Sequence, residues 1–233
     1  MPRLSAPIYL DYNAGAPLRS GAREAMIEVL KDTGNASSVH SNGRKARGRV
    51  EAARDSVARL CGTGARTVTF VSGGTEANMT ALSRVWQDGG TPVYLDKLFI
   101  SAIEHPSVMT GGRFAVADQV IVPVDAAGVV DLDALRQAVA DTDPGLVSVM
   151  AANNETGVIQ PLAEVGAIAR EHGHFFHVDA VQAAGRVKID LDGWQADAIT
   201  LSAHKFGGPQ GIGAVVAKSS SRTNTPLMFG GGQ

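Results

Sequence analysis

Five polar clusters stand directly after apolar runs, and each carries residues able to do chemistry. Val71 is followed by Ser72-Gly73-Gly74-Thr75-Glu76, Ile103 by Glu104-His105-Pro106, and Ala152 by Asn153-Asn154-Glu155-Thr156-Gly157. Val178 is followed by Asp179, with Gln182 three residues on, and Ser202 by His204 and Lys205. A lysine is costly to bury. At a strand end beside Gly207 and Gly208, Lys205 is placed to form a Schiff base, though a surface residue is the default reading of a lone lysine. Asp179 closes the run HFFHV, and a buried carboxylate there needs a cationic or N–H partner. A protonated ring nitrogen would serve, and so would a helix N-terminus. SGGTE puts two glycines and a threonine at a helix start, where free N–H groups and the helix dipole favour a phosphate. Alone, the same stretch is an ordinary capped turn. His105, before a proline, either caps a turn or lies flat on an aromatic cofactor. A phosphate cradle, an acid for a ring nitrogen and a lysine for an aldehyde together describe pyridoxal phosphate. The combination is far more specific than any part.

These residues need a frame that brings them to one place. Apolar spacing predicts helices over 18–31, with Ala22, Met26, Val29 and Leu30 on one face, and over 43–60, with Val50, Val57 and Leu60 inward. A strand over 67–71 and a helix over 75–86 follow. Strands are expected over 98–103, 119–124, 146–151, 174–178, 198–202 and 214–217. Helices are expected over 132–139, opened by Asp131 as N-cap, and over 162–171. This alternation implies an α/β fold of three layers: a mostly parallel, seven-stranded-type sheet flanked by helices. The link between the last two strands is too short for a parallel crossover, so that pair is antiparallel. In such sheets ligands sit beyond the carboxyl ends of the strands. The five clusters therefore converge on one site.

Composition narrows the class. Of 233 residues, 44% are apolar, enough for a core, and the net charge of -2 gives no general attraction to nucleic acid or an anionic membrane. No apolar run is long enough to span a bilayer, and the N-terminus lacks the apolar stretch of a secretory signal. A single cysteine, Cys61, excludes an internal disulfide and fits a reducing cytoplasm. HGHFFH suggests a metal, but His174 and His177 face opposite sides of a strand and His172 lies before it. GRKARGRVEAARDSVAR is basic, yet Glu51 and Asp55 interrupt it and no aromatics interleave it, so it reads as a solvated helix face. PLMFGGGQ begins a further strand and stops at a glycine-rich corner, which reads as the edge of a fragment.

The stretches YLDYNAGAP, GNASSVHSNGRKAR, FVSGGTEANM, SAIEHPSV, VSVMAANNETGVIQP, FHVDAVQAAG, LSAHKFGGPQGIGA and FGGGQ, in this order, resemble the cysteine desulfurases of the class V aminotransferase superfamily. The form EHPSV favours the branch that serves iron–sulfur cluster assembly and nitrogen fixation. The resemblance implies the large domain of the fold type I pyridoxal-phosphate enzymes over 16–233, after an N-terminal segment 1–15 and without the C-terminal small domain. It implies Lys205 as the Schiff-base lysine, Asp179 on the pyridine nitrogen and Gln182 on the phenolic oxygen. It implies His105 stacked on the ring and moving protons, with Gly74, Thr75, Ser202 and His204 on the phosphate. Asn154 would lie near the cofactor oxygen and the substrate carboxylate. The implied reaction converts L-cysteine to L-alanine and leaves its sulfur as a persulfide for an iron–sulfur scaffold or other acceptor protein, in a homodimer. Selenocysteine lyase, a class V aminotransferase and an inactive truncated remnant are the alternatives. The family's catalytic cysteine, its carboxylate-binding arginine and a phosphate contact given to the neighbouring subunit fall beyond Gln233. Cys61 matches no catalytic position. Ala14-Gly15-Ala16 stands where the family usually has a threonine pair.

Overall fold

The structure, a computed structural model, describes residues 8–220, 222–225 and 227. The FGGGQ stretch lies outside these residues. Along the chain come α1 (Ser20–Leu30), α2 (Ser41–Cys61), β1 (Val68–Val71), α3 (Gly74–Ala81), β2 (Val85–Asp88), β3 (Thr91–Tyr94), β4 (Leu98–Ser101) and α4 (Pro106–Met109). They are followed by β5 (Gln119–Val122), α5 (Leu132–Val139), β6 (Leu146–Met150), α6 (Leu162–Glu171), β7 (Phe175–Asp179), β8 (Ala198–Ser202), β9 (Gly213–Ala217) and β10 (Arg222–Asn224). The main sheet has seven strands in the order β1-β9-β8-β7-β6-β4-β5. β9 is antiparallel to both neighbours and the other pairings are parallel, so six carboxyl ends share one edge.

Alternation along the central strands builds two cores, because successive side chains point to opposite faces. Phe99, Val147, Val149, Phe176, Val178, Ile199 and Leu201 pack with Leu135 and Val139 of α5 and with Leu162, Val165 and Ile168 of α6. On the other face Leu98, Ile100, Leu146, Phe175 and Ala198 pack with Ala77 of α3 and Val108 of α4. The expected three layers are present. Asp131 caps α5 as expected, its side chain accepting from the N–H groups of Asp133 and Ala134. Gly62 ends α2 at φ 69°, the left-handed geometry that favours glycine.

Two expectations are corrected. The helix expected over 75–86 stops at Ala81, and Trp86 is the fully buried centre of β2. β2 and β3 form a hairpin through Gly89 and Gly90, at φ 60° and 87°. Two consecutive left-handed positions suit a tight two-residue hairpin turn, and this chemistry outweighs the helical spacing before it. β10 pairs on the other side of β2. The second correction concerns α1 and α2. α1 buries none of its side chains, and Met26, Val29 and Leu30 are exposed. In α2, Ala58 and Cys61 are buried, whereas Val50 and Leu60 remain 37% and 40% exposed. Helical spacing groups these residues on a face, but no element among the described residues lies over enough of it.

Candidate active site

On the α3 side of the sheet, polarity rises toward the carboxyl edge. β7 presents Phe175, His177 and Asp179 there, and β8 presents Ala198, Thr200 and Ser202. A cavity of about 520 Å³ opens at that edge. Gly74, Thr75, His105, Asn154, Asp179, Gln182, Ser202, His204 and Lys205 all line it. Residues from five separate strand ends thus meet in one space. Asp11, Asn13, Asn78, Ser107 and Met150 line it as well, and none of them was singled out in the sequence.

Lys205 ends a single 3-10 turn, Ala203–Lys205, that follows β8 directly. Its Nζ donates to the carbonyl oxygens of Asn13, at 2.6 Å, and Ala14, at 3.2 Å. Partial burial lowers its pKa below the usual lysine value, and the Arg186 charge adds to this, against Asp11 and Asp179. A lowered lysine pKa favours the free amine that attacks a carbonyl. The same Asn13 carbonyl accepts from Gln182 Nε2 at 2.9 Å. Arg186 donates to Asn13 Oδ1 at 2.6 Å and to the Tyr12 carbonyl at 2.8 Å. Asn13 Nδ2 donates to the Asn154 carbonyl at 3.0 Å. The segment 11–14 is thereby strapped across the mouth of the cavity. The Asn154 side chain itself donates to Glu155 Oε1 at 2.7 Å.

Asp179 is buried, and desolvation raises its pKa above the ordinary carboxylate value. Hydrogen bonds from Val181 N to Oδ1, at 3.0 Å, and from Asn78 Nδ2 to Oδ2, at 2.8 Å, act the other way, as do the charges of His105 and Lys205. A carboxylate has about four lone-pair positions, so two donors leave room for a third from the cavity. At the other end of the space α3 begins without a side-chain cap. A Cβ on Gly74 would lie 3.1 Å from Val181 Cγ2 and 3.2 Å from the Ser202 Cβ, so glycine permits the close approach of helix and sheet here. Ser202 Oγ and His204 Nδ1 lie 2.9 Å apart. Burial, and after it the Lys205 charge, lowers the His204 pKa. Uncapped N–H groups, two hydroxyls and an imidazole make this end suited to a phosphate.

Glu104 sits beneath His105 and is buried. Its Oε1 contacts Ser101 Oγ at 2.5 Å and accepts from Met150 N at 2.7 Å, while Oε2 has no hydrogen-bond partner among the described residues. Desolvation, with Asp179 adding to it, raises its pKa from 4.5 to about 8. Between those values the native state keeps a proton that the unfolded chain has released. Stability is therefore whole below the unfolded value and falls as pH rises toward the folded one. Glu104→Gln removes this slope. Urea unfolding at about pH 5 and about pH 8 should show the wild type losing on the order of a few kcal/mol more than the variant.

The three histidines of HGHFFH do not converge. His174 Nδ1 accepts from Gly145 N at 2.8 Å, and His177 lies fully buried behind the cavity. Among the described residues no three metal-binding side chains cluster. Cys61 is buried at the end of α2, and desolvation raises its thiol pKa to about 12. The thiolate fraction near pH 8 is then on the order of 10⁻⁴. A disulfide exchange reagent should leave Cys61 unmodified in the native protein at that pH and titrate it fully in urea. Rapid native labelling would contradict the burial. No helix among the described residues is long and apolar enough to cross a membrane.

Residues 8–233 match the profile of the family Aminotransferase class-V. A cysteine desulfurase IscS of Dictyoglomus turgidum is 39% identical over 230 residues, covering 97% of this chain and 57% of that protein. The crystal structure of a NifS-like protein from Rickettsia africae superposes with a TM-score of 0.87 at 37% identity, over 97% of this chain and 62% of that one. A structure of SspA in complex with cysteine gives a TM-score of 0.80 at 30% identity, over 97% and 65%. The chain thus spans a little over half the length of the curated relatives it matches. A mostly parallel sheet with polar residues gathered at one edge, and a profile match across nearly all of its length, place this chain in the class-V aminotransferase family.

Proposed function

We propose that this chain supplies the pyridoxal-phosphate site of a cysteine desulfurase, which converts L-cysteine to L-alanine and passes the sulfur to a thiol. The observation that carries the reading is the pairing, in one cavity, of Lys205 at one strand end with buried Asp179 at the next. When bound, pyridoxal phosphate supplies an aldehyde that takes up an amino group and a ring that withdraws electrons from it. Lys205 holds the aldehyde, and its lowered pKa favours the reactive amine. Asp179, with lone pairs to spare, takes a cationic ring N–H. Thr75, Ser202, His204 and the Gly74 backbone hold the phosphate. Gln182 would hold the phenolic oxygen, and His105 would lie against the ring and move a proton at its Nε2. Asn154 lies beside the substrate carboxylate. The strap 11–14 orients the lysine amine through the Asn13 and Ala14 carbonyls.

The balance is simple: L-cysteine and a thiol RSH give L-alanine and the persulfide RSSH. Cys61 is not that thiol in this reading, since it is buried and protonated. The whole protein is a homodimer, as the resemblance implies, and its sulfur goes to an iron–sulfur scaffold or another acceptor protein. The test is product analysis of the whole protein with pyridoxal phosphate, L-cysteine and an acceptor thiol such as dithiothreitol. Alanine and persulfide sulfur in equal amounts are expected. Transfer of the amino group to a keto acid with no sulfur released would instead make the chain an aminotransferase. A rate confined to L-selenocysteine would make it a lyase for that substrate.

A further inference from the structure

Behind the cavity wall lies a chain of buried polar side chains that leads to Asp179 and His105. Ser148 on β6 and His177 on β7 are register partners, and Ser148 Oγ lies 2.9 Å from His177 Nδ1. His177 Nε2 lies 3.2 Å from Thr200 Oγ1 on β8, and Thr200 Oγ1 donates to Asn78 Oδ1 at 2.5 Å. Asn78 Nδ2 donates both to Asp179 Oδ2 and, at 2.9 Å, to Ser107 Oγ. Ser107 Oγ lies 2.8 Å from His105 Nδ1, which also accepts from Ser107 N at 3.1 Å. Ser148, His177 and Thr200 are wholly buried, and Asn78 is nearly so. Such a network is stable only if every donor meets an acceptor.

The donors can be ordered from one end. A carboxylate only accepts, so Asn78 turns its NH2 toward Asp179 and its carbonyl toward Thr200. The Thr200 hydroxyl then spends its single proton on Asn78, so the proton between His177 and Thr200 belongs to His177 Nε2. His177 is neutral, because burial lowers its pKa to about 3, and its Nδ1 accepts from Ser148. In the other direction the second Asn78 N–H occupies Ser107 Oγ, whose own proton goes to His105 Nδ1. That nitrogen already takes the Ser107 N–H, so the His105 proton sits on Nε2.

We infer that His177, Thr200 and Asn78 form a one-way donor chain that positions Asn78 to hold Asp179 ionised and to keep the His105 proton on Nε2, facing the cavity. The inference rests on the reading of Asp179 as the partner of a cationic ring nitrogen. The three are positioning residues. Thr200 is the link whose proton decides the direction, since a methyl in place of its hydroxyl leaves both His177 Nε2 and Asn78 Oδ1 unpaired.

The test is the ring-nitrogen ¹⁵N spectrum of histidine-labelled protein without cofactor, assigned through His177→Gln and His105→Gln. In the wild type, Nδ1 of both His177 and His105 is expected to be an acceptor without a proton, with the ring proton on Nε2. Thr200→Val should move His177 toward the Nδ1–H form, bonded to Ser148, and weaken pyridoxal phosphate binding about tenfold, a fraction of the worth of a hydrogen bond to a charged group. Thr200→Ser should restore both. An Nδ1–H tautomer at either histidine in the wild type overturns the inference, and so does a Thr200→Val protein with unchanged spectra and affinity. If Thr200→Val does not fold, the wild-type and Thr200→Ser spectra still decide. Loss of the proposed desulfurase activity with the tautomers as stated would count against the function alone.

Discussion

Lys205→Ala is expected to leave no borohydride-stable bond between the protein and pyridoxal phosphate and, on the proposed function, to lower turnover of L-cysteine by about 10²–10⁴-fold, the usual worth of a proton-moving group. The reason is position. β8 is buried along its length and ends one residue before the 3-10 turn that carries the lysine. The Nζ is pointed at the strap 11–14 by two carbonyl acceptors. A mobile surface amine would have neither the fixed direction nor the lowered pKa. Lys205→Arg is the sharper variant, since it keeps the charge and the donors but cannot hold an aldehyde. It should fail like alanine. Trapping in either variant at the wild-type level would place the covalent bond elsewhere.

Asp179→Asn has the second large effect, and it reverses sign with the cofactor. Without pyridoxal phosphate, the native state carries a carboxyl whose pKa burial has raised. Such a group costs stability as pH rises above the value of an unfolded aspartate. Asparagine removes that cost but turns its NH2 toward Asn78 Nδ2 or Val181 N and loses one of those hydrogen bonds. A buried unpaired charge outweighs one neutral hydrogen bond, so the variant without cofactor should still melt at or above the wild-type temperature at neutral pH. With saturating cofactor the order should invert, because the wild type gains a charge-assisted hydrogen bond of about 1.5–3 kcal/mol that the amide lacks. Turnover should fall about 10²–10³-fold, as when one preorganised electrostatic partner is removed. Melting curves with and without pyridoxal phosphate give the crossing directly. A variant that is destabilised equally in both would show Asp179 to be a plain structural acid.

Much of this arrangement is legible in the sequence, for a physical reason. Parallel strands buried on both faces read as unbroken apolar runs. Their ends are therefore marked where the apolar run gives way to a polar cluster, as after Val178 and after Leu201, although His177 and Thr200 already interrupt those runs. Turn chemistry was the weak point. Helical spacing through 75–86 hid the Gly89-Gly90 hairpin and placed Trp86 in a helix. The faces of α1 and α2 show the other limit: spacing groups Met26, Val29 and Leu30 but cannot say what covers them. The site residues that were missed are those whose roles depend on a neighbour. Asn78 acquires its role only because α3 packs over β8, and Asn13 only because segment 11–14 crosses the cavity. His177 leaves a trace, two residues before Asp179 on the same face of β7, but within HGHFFH its spacing to the other histidines suggests a metal instead.

The most direct measurement of the central claim is peptide mapping. The purified protein is incubated with pyridoxal phosphate, reduced with borohydride, digested and analysed by mass spectrometry. The account predicts one pyridoxyl group per chain, on the peptide that contains Lys205, with free phosphate competing against its formation. A label spread over surface lysines, or fixed on another lysine with Lys205 unmodified, would contradict it.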